Sequence, residues 1–213
     1  GCLASIRQTT TIPYEVLLYD SPSDERFEPG PHYYMPLSIE YNQDQSIGMY
    51  ELLNRTVARA RGDVLAIINN DIVLGSQTLD HCVQAIREHG VQSVYPTATN
   101  PGLLPANFQA EAKYRSELPC ELVGPPEWRG WFIVVTRRAW EEVGGFDPKF
   151  MLNCGDNDFF ERMVNVGYPS RQVANTYVHH YQCSPPRPLW FDHSDDYRYF
   201  EQKWGRSIST PRP

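Results

Sequence analysis

Apolar and polar positions follow two rhythms along the first hundred residues. "YEVLLYD" (14–20) is a short apolar run closed by Asp20, and "LSIEYN" (37–42) alternates apolar and polar residues up to Asn42. Both read as strands. Between 46 and 61, Met49, Leu52, Leu53, Val57 and Ala60 recur at helical spacing, with Gly62 placed to close the helix. "DVLAII" (63–68) is a buried strand. Leu79, Cys82, Val83 and Ile86 mark the face of a second helix, capped by Ser76 or Thr78 and ended by Gly90; "VQSVYP" (91–96) is the next strand.

From 97 to 130 the chain is Pro-rich and shows no period, which reads as a loop able to cover a ligand. Order returns in "GWFIVVTRRAWEEVGGFDPKF" (130–150). Phe159, Phe160, Met163 and Val164 then make the apolar side of a short helix ended by Gly167. "VANTYVHHY" (173–181) is strand-like, and "DHSDDYRYFEQKWG" (192–205) is a terminal helix with Asp195 as N-cap and Gly205 just past its end. This succession predicts an α/β fold, a mostly parallel sheet with helices on both faces. In such sheets ligands gather at the carboxyl ends of strands, where Asp20, Asn42 and Asn69–Asp71 fall. No repeat and no second domain boundary are visible.

Composition narrows the partners. A formal charge of −7 over 213 residues excludes the basic footprint that nucleic acid demands. A nucleoside diphosphate can still bind where a metal ion supplies positive charge. Five cysteines (Cys2, Cys82, Cys120, Cys154, Cys183), odd in number and without C-x-x-C spacing, fit reduced thiols in the cytoplasm. No apolar run approaches the roughly 18–20 residues of a membrane span, and no signal peptide is apparent.

Four places could carry chemistry. In "LAIINNDIVLG" (65–75) a hydrophobic strand runs into Asn69, Asn70 and Asp71 before resuming. Asp71 is a hard oxygen ligand suited to Mg²⁺ or Mn²⁺; the bland alternative is a surface turn. In "CGDNDFFERM" (154–163), Asp156 and Asp158 sit at a helix start, where the macrodipole favours carboxylates. Capping explains one of them, and the second suggests a carboxylate facing a cleft. His179 and His180 follow a strand, and a neutral imidazole of either could ligate a metal. Trp131, after Gly130, is either core or a platform for a sugar.

In order and spacing these segments resemble the inverting family 2 glycosyltransferases of GT-A fold, in the branch with bacterial rhamnosyltransferase-like enzymes. Asp20 in "YDSPSD" is similar to the family's V-D-N-G-S segment, and Gly48 and Asn54 match the glycine and asparagine of its following helix. "ARGDVLAIINND" matches the strand leading to D-x-D. "RRAWEEVGGFDPKF" resembles R-R-x-x-x-x-x-G-G-F-D-x-x-F, and "GDNDFFERMVNVGY" resembles E-D-x-D-x-x-x-R-x-x-x-x-G-Y.

The resemblance implies one transferase domain: a nucleotide-binding half (1–96), an acceptor and catalytic half (97–181) and a C-terminal extension (182–213). It implies a divalent metal, Mn²⁺ or Mg²⁺, on Asp71 and His179, with His180 the alternative ligand. Asp20, Gly48, Asn54, Asn69, Asn70 and Asp71 would bind the nucleotide sugar, of UDP, dTDP or GDP type. Gly130 and Trp131 would bind a glycan or glycolipid acceptor. Asp156 would be the general base, supported by Asp158. The enzyme would work in the cytoplasm with peripheral contact to the inner face of the membrane. Three departures bear on this. Asn69 stands at the first D-x-D acid, and Gly155 where an acid precedes the base. "GCLASIRQTT" resembles the helix that follows the family's first strand, which places that strand outside this sequence. A non-catalytic nucleotide-sugar or glycan-binding module is the alternative, and a metal-dependent phosphohydrolase a more distant one.

Overall fold

The computed structural model describes residues 1–20, 27–30, 35–41, 44, 46–100, 102–124, 129–182 and 193–210. Asn42, Cys183 and most of the turn-rich stretch after Asp20 lie outside the described residues. In chain order the elements are α1 (Cys2–Thr9), β1 (Val16–Asp20), β2 (Leu37–Tyr41), α2 (Met49–Arg59) and β3 (Val64–Ile68). There follow β4 (Ile72–Leu74), α3 (Thr78–His89), β5 (Ser93–Ala98), α4 (Phe108–Ser116) and β6 (Leu122–Val123). The chain continues with β7 (Phe132–Thr136), α5 (Arg137–Val143), α6 (Gly155–Asn165), β8 (Arg171–His180) and α7 (His193–Trp204).

These elements form two compact units. One comprises Gly1–Ile12, Asp63–Glu142 and Met163–Arg187; the other comprises Pro13–Gly62, Val143–Arg162 and Pro188–Pro213. In the first, a six-stranded sheet runs β3-β7-β5-β8-β4, with β6 also on β8. In the second, β1 and β2 pair in parallel, Val16 opposite Leu37 through Asp20 opposite Tyr41.

The class is α/β, as the strand–helix rhythm predicts, and the sheet is mixed. Among the described residues β1·β2 and β5·β8 are parallel, while β3·β7, β5·β7, β4·β8 and β6·β8 are antiparallel. The mostly parallel sheet expected from the rhythm is corrected accordingly. Apolar runs report burial but carry no strand direction.

The ladder between β5 and β8 shifts register between Pro96 and Ala98. Pro96 has no N–H to give, and a central strand accepts proline only at such an irregularity. Threonine hydroxyls fill the break: Thr97 N–H donates to Thr176 Oγ1 at 2.9 Å, and Thr97 Oγ1 donates to the Val173 carbonyl at 3.0 Å. Beyond it, the end of β8 pairs with β4, Ile72 opposite His180 and Leu74 opposite Val178. Phe132, Ile133, Val134, Val135, Val173 and Val178 are almost fully buried in this sheet.

Several local expectations change. The segment 97–130 contains α4 and β6. Only Phe108 and Ala112 of α4 are buried, one turn apart, which is too little periodicity to read. Helix α2 ends at Arg59 with Ala60 extended, so Gly62 does not close it. It buries Tyr50, Leu52, Thr56 and Val57 and leaves Met49 exposed, a face rotated from the expected one. Thr78 does not cap α3; its hydroxyl donates to the Gly75 and Tyr177 carbonyls, both at 3.1 Å. Asp195 lies in the first turn of α7 rather than at its cap. No helix among the described residues is long and apolar enough to cross a membrane, and Cys2, Cys82, Cys120 and Cys154 are free thiols.

Gly75 is where β4 leaves the sheet. A Cβ there would stand 2.5 Å from the Ala112 Cβ and 2.7 Å from the Tyr177 carbonyl oxygen. Gly75→Ala is therefore expected to destabilise the fold by about 1–3 kcal/mol through overpacking. Urea denaturation checks it, and an unchanged midpoint would show that the neighbours yield freely.

Candidate functional site

In the first unit the polar triplet is the link between two strands. Asn69 donates its N–H to the Trp131 carbonyl at 3.0 Å as β3 ends, and the Asp71 carbonyl accepts from Tyr181 N–H at 3.0 Å as β4 begins. Asn69 and Asn70 are exposed. Asp71 turns inward: its Oδ1 lies 3.1 Å from His180 Nε2, with side chains 14% and 13% exposed. The Trp131 ring stacks on the His180 imidazole, centroids 4.8 Å apart and planes 29° from parallel. His180 Nδ1 is buried with no hydrogen-bond partner among the described residues. Gly130, in the turn before β7, brings Trp131 to this place.

His179 is different. It is 0% exposed, with Nε2 3.0 Å from the Gly102 carbonyl and Nδ1 2.6 Å from Thr99 Oγ1. A carbonyl only accepts, so Nε2 carries a proton toward Gly102, while Nδ1 shares a hydrogen bond with the Thr99 hydroxyl. Both nitrogens are then engaged. Successive strand residues point to opposite faces, so only one of the two histidines can meet Asp71.

In the second unit Asp20 ends β1 and accepts the Phe27 N–H at 3.0 Å. Gly48 and Asn54 are engaged by neighbouring backbone. A Cβ on Gly48 would come within 2.9 Å of Met151 Cα, and the Asn54 amide both donates to the Phe146 carbonyl at 2.8 Å and accepts its N–H at 2.9 Å.

The start of α6 is heavily constrained. Asp196 of α7 is buried and accepts three successive backbone N–H groups, from Met151 and Leu152 at 2.9 Å and Asn153 at 2.7 Å. Cys154 follows in a left-handed conformation, φ 62°, a strain that persists only where surroundings over-determine the backbone. Burial pushes its thiol up to about 12. Asp158 is 0% exposed and receives Arg162 Nε at 2.9 Å, Lys203 Nζ at 2.7 Å and Trp204 Nε1 at 3.0 Å. Arg162 also donates to the Val143 and Gly145 carbonyls, both at 2.7 Å. Asp156 is half-buried, and Tyr50 donates its hydroxyl hydrogen to Asp156 Oδ1 at 3.1 Å.

Sequence reasoning missed Tyr50, Asp196, Lys203 and Trp204. Arg162 was in reach, four residues after Asp158 on one helix; the others act across more than forty residues and leave no spacing signal.

No family model matches the chain. Over 250 residues it is 24% identical to the N-acetylglucosaminyl-diphospho-decaprenol L-rhamnosyltransferase of Mycobacterium tuberculosis, covering 96% of the chain and 81% of that protein. Its structure superposes on GalNAc-T7 crystallised with UDP, GalNAc and Mn²⁺ (TM-score 0.66, 15% identity, 94% of this chain and 44% of that one). It also superposes on S. aureus TarS in complex with UDP-GlcNAc (TM-score 0.65, 13% identity, 94% and 60%). The chain has the GT-A fold. The chain spans less than two thirds of either solved structure's length.

Lys203 helps to balance Asp158, a carboxylate with no access to water. Lys203→Met is expected to lower the protein's stability by about 3 kcal/mol, the cost of breaking a buried ion pair from one side. Chemical denaturation measures it, and a loss under about 0.5 kcal/mol, the size of an exposed pair, would show that Asp158 does not rely on Lys203.

Proposed function

We propose that the protein is an inverting, metal-dependent glycosyltransferase that moves a sugar from a nucleotide-diphosphate donor to a glycan or lipid-linked glycan. The pairing of Asp71 with His180 carries this reading. Adjacent ligands of an octahedral ion bonded near 2.1 Å stand about 3 Å apart, and these two atoms are 3.1 Å apart. A carboxylate and an imidazole fit Mn²⁺ or Mg²⁺ in donor type. GalNAc-T7, with UDP and Mn²⁺ in its crystal structure, supports the choice of ion and nucleotide. The bound ion would neutralise charge on the departing diphosphate.

The remaining roles belong to the chain's own residues. His180, rather than His179, is assigned beside Asp71, because both nitrogens of His179 are engaged. Trp131, stacked on His180, fixes the imidazole plane and is assigned to a sugar together with Gly130. The exposed Asn69 and Asn70 are assigned to the donor sugar or ribose, and Asp20 to the nucleotide. Gly48 and Asn54 are assigned to holding backbone. Asp156 is the general base: it takes the proton of the acceptor hydroxyl as that oxygen attacks opposite the leaving diphosphate, which inverts the anomeric centre. Asp158, buried and enclosed by three donors, is assigned a structural role. A lipid-linked acceptor follows the rhamnosyltransferase relative's name and would place the work at the inner face of the membrane.

Nucleoside diphosphate release from a panel of UDP-, dTDP- and GDP-sugars with Mn²⁺ tests the assignment. Asp156→Asn is expected to lose about 10²–10⁴-fold in turnover while nucleotide-induced thermal stabilisation persists. Asp71→Asn is expected to lose both. Full turnover in Asp156→Asn would remove the base, and nucleotide binding without turnover of any donor by the wild type would make the chain a binding module.

A further inference from the structure

Asp156 is met from α2 by a buried aromatic ring that none of the proposed roles uses. Tyr50 is 3% exposed, its ring packed edge-on against Phe146 with centroids 5.0 Å apart. The ring fills the space beside Gly155: a Cβ on Gly155 would lie 2.5 Å from two Tyr50 ring carbons and 2.6 Å from a third. No side chain can stand at 155 while Tyr50 holds this position. The hydroxyl at the far end of the ring reaches Asp156 Oδ1 at 3.1 Å. The rotation of α2 that buries Tyr50 in place of Met49 is what delivers it there.

We propose that Tyr50 is a positioning residue for Asp156: its ring, seated over Gly155, aims a neutral hydrogen-bond donor that favours the ionised carboxylate and fixes its orientation. This rests on the reading of Asp156 as the base. A tyrosine can play this part because its ring is rigid and its hydroxyl stays protonated; burial and the nearby Asp156 charge hold the Tyr50 phenol well above its usual range. Three neighbouring groups are committed elsewhere or carry no charge. Cys154 precedes it with a protonated thiol. Asp196 of α7 is occupied by three backbone amides. On α6 itself, Asp158 is balanced by Arg162 and Lys203.

A hydrogen bond to the charged form lowers a carboxyl's pKa, so removing the hydroxyl must raise the Asp156 midpoint. Tyr50→Phe keeps the ring and its packing. In protein labelled with ¹³C at aspartate carboxyls, with the Asp156 signal identified through Asp156→Asn, the midpoint is expected to rise by about one pH unit in Tyr50→Phe. The acid limb of kcat/KM for nucleoside diphosphate release should shift upward equally, with the thermal midpoint little changed. Gly155→Ala, which pushes the ring aside, should move the Asp156 midpoint in the same direction and serves if Tyr50→Phe does not fold. An unchanged midpoint in both variants overturns the proposal. The two readings fail separately: an active Asp156→Asn removes the base, whereas an inactive Asp156→Asn with unshifted Tyr50→Phe removes only Tyr50.

Discussion

Tyr181 gives its amide hydrogen to the Asp71 carbonyl, and Ile72 then faces His180 across the β4·β8 ladder. That register sets which side chains meet in the first unit. A slip of one residue would exchange the faces of every side chain on β4 and take Asp71 away from His180. The register is held from both ends, by Gly75 N–H on the Tyr177 carbonyl at 2.8 Å and by the threonine-filled break after Pro96. His179 contributes by being unavailable: Thr99 and Gly102 lock it on the other face. One histidine is held by its surroundings, and its neighbour faces Asp71.

The second unit treats two carboxylates on one helical turn in opposite ways. Asp158 is removed from water, which is tolerable only with close compensation; Arg162, Lys203 and Trp204 supply it. Asp156, two residues earlier, is half-exposed and touched by the neutral Tyr50 hydroxyl. The first is enclosed by its partners, while the second keeps one side open to solvent. Helix α7 sets both conditions, since Asp196 pins the loop before α6 and Lys203 and Trp204 pin its first turn.

Much of the scaffold was legible because local patterning reports burial. The runs at 16–20, 37–41 and 64–68 and the left-handed glycines Gly90, Gly167 and Gly205 stand where periodicity puts them. Strand direction was not legible, because Phe132–Thr136 reads the same in either orientation. Helix α4 escaped notice because two buried residues make no pattern. The polar triplet and the acid pair were visible as chemistry out of place in hydrophobic sequence, but the sorting within them was not. Which histidine faces Asp71 depends on register, and which acid is enclosed depends on Lys203 and Trp204, whose proximity only the folded chain creates. Gly155 looked like a lost acid; in the fold it is the space that Tyr50 requires.

The central claim is that Asp71 and His180 together hold a divalent ion. Pulsed electron paramagnetic resonance of Mn²⁺ bound to the protein with UDP tests it most directly. The account predicts a ¹⁴N coupling from one imidazole that disappears in His180→Ala and survives in His179→Ala. A spectrum without nitrogen coupling, or a coupling that survives loss of His180, would contradict it.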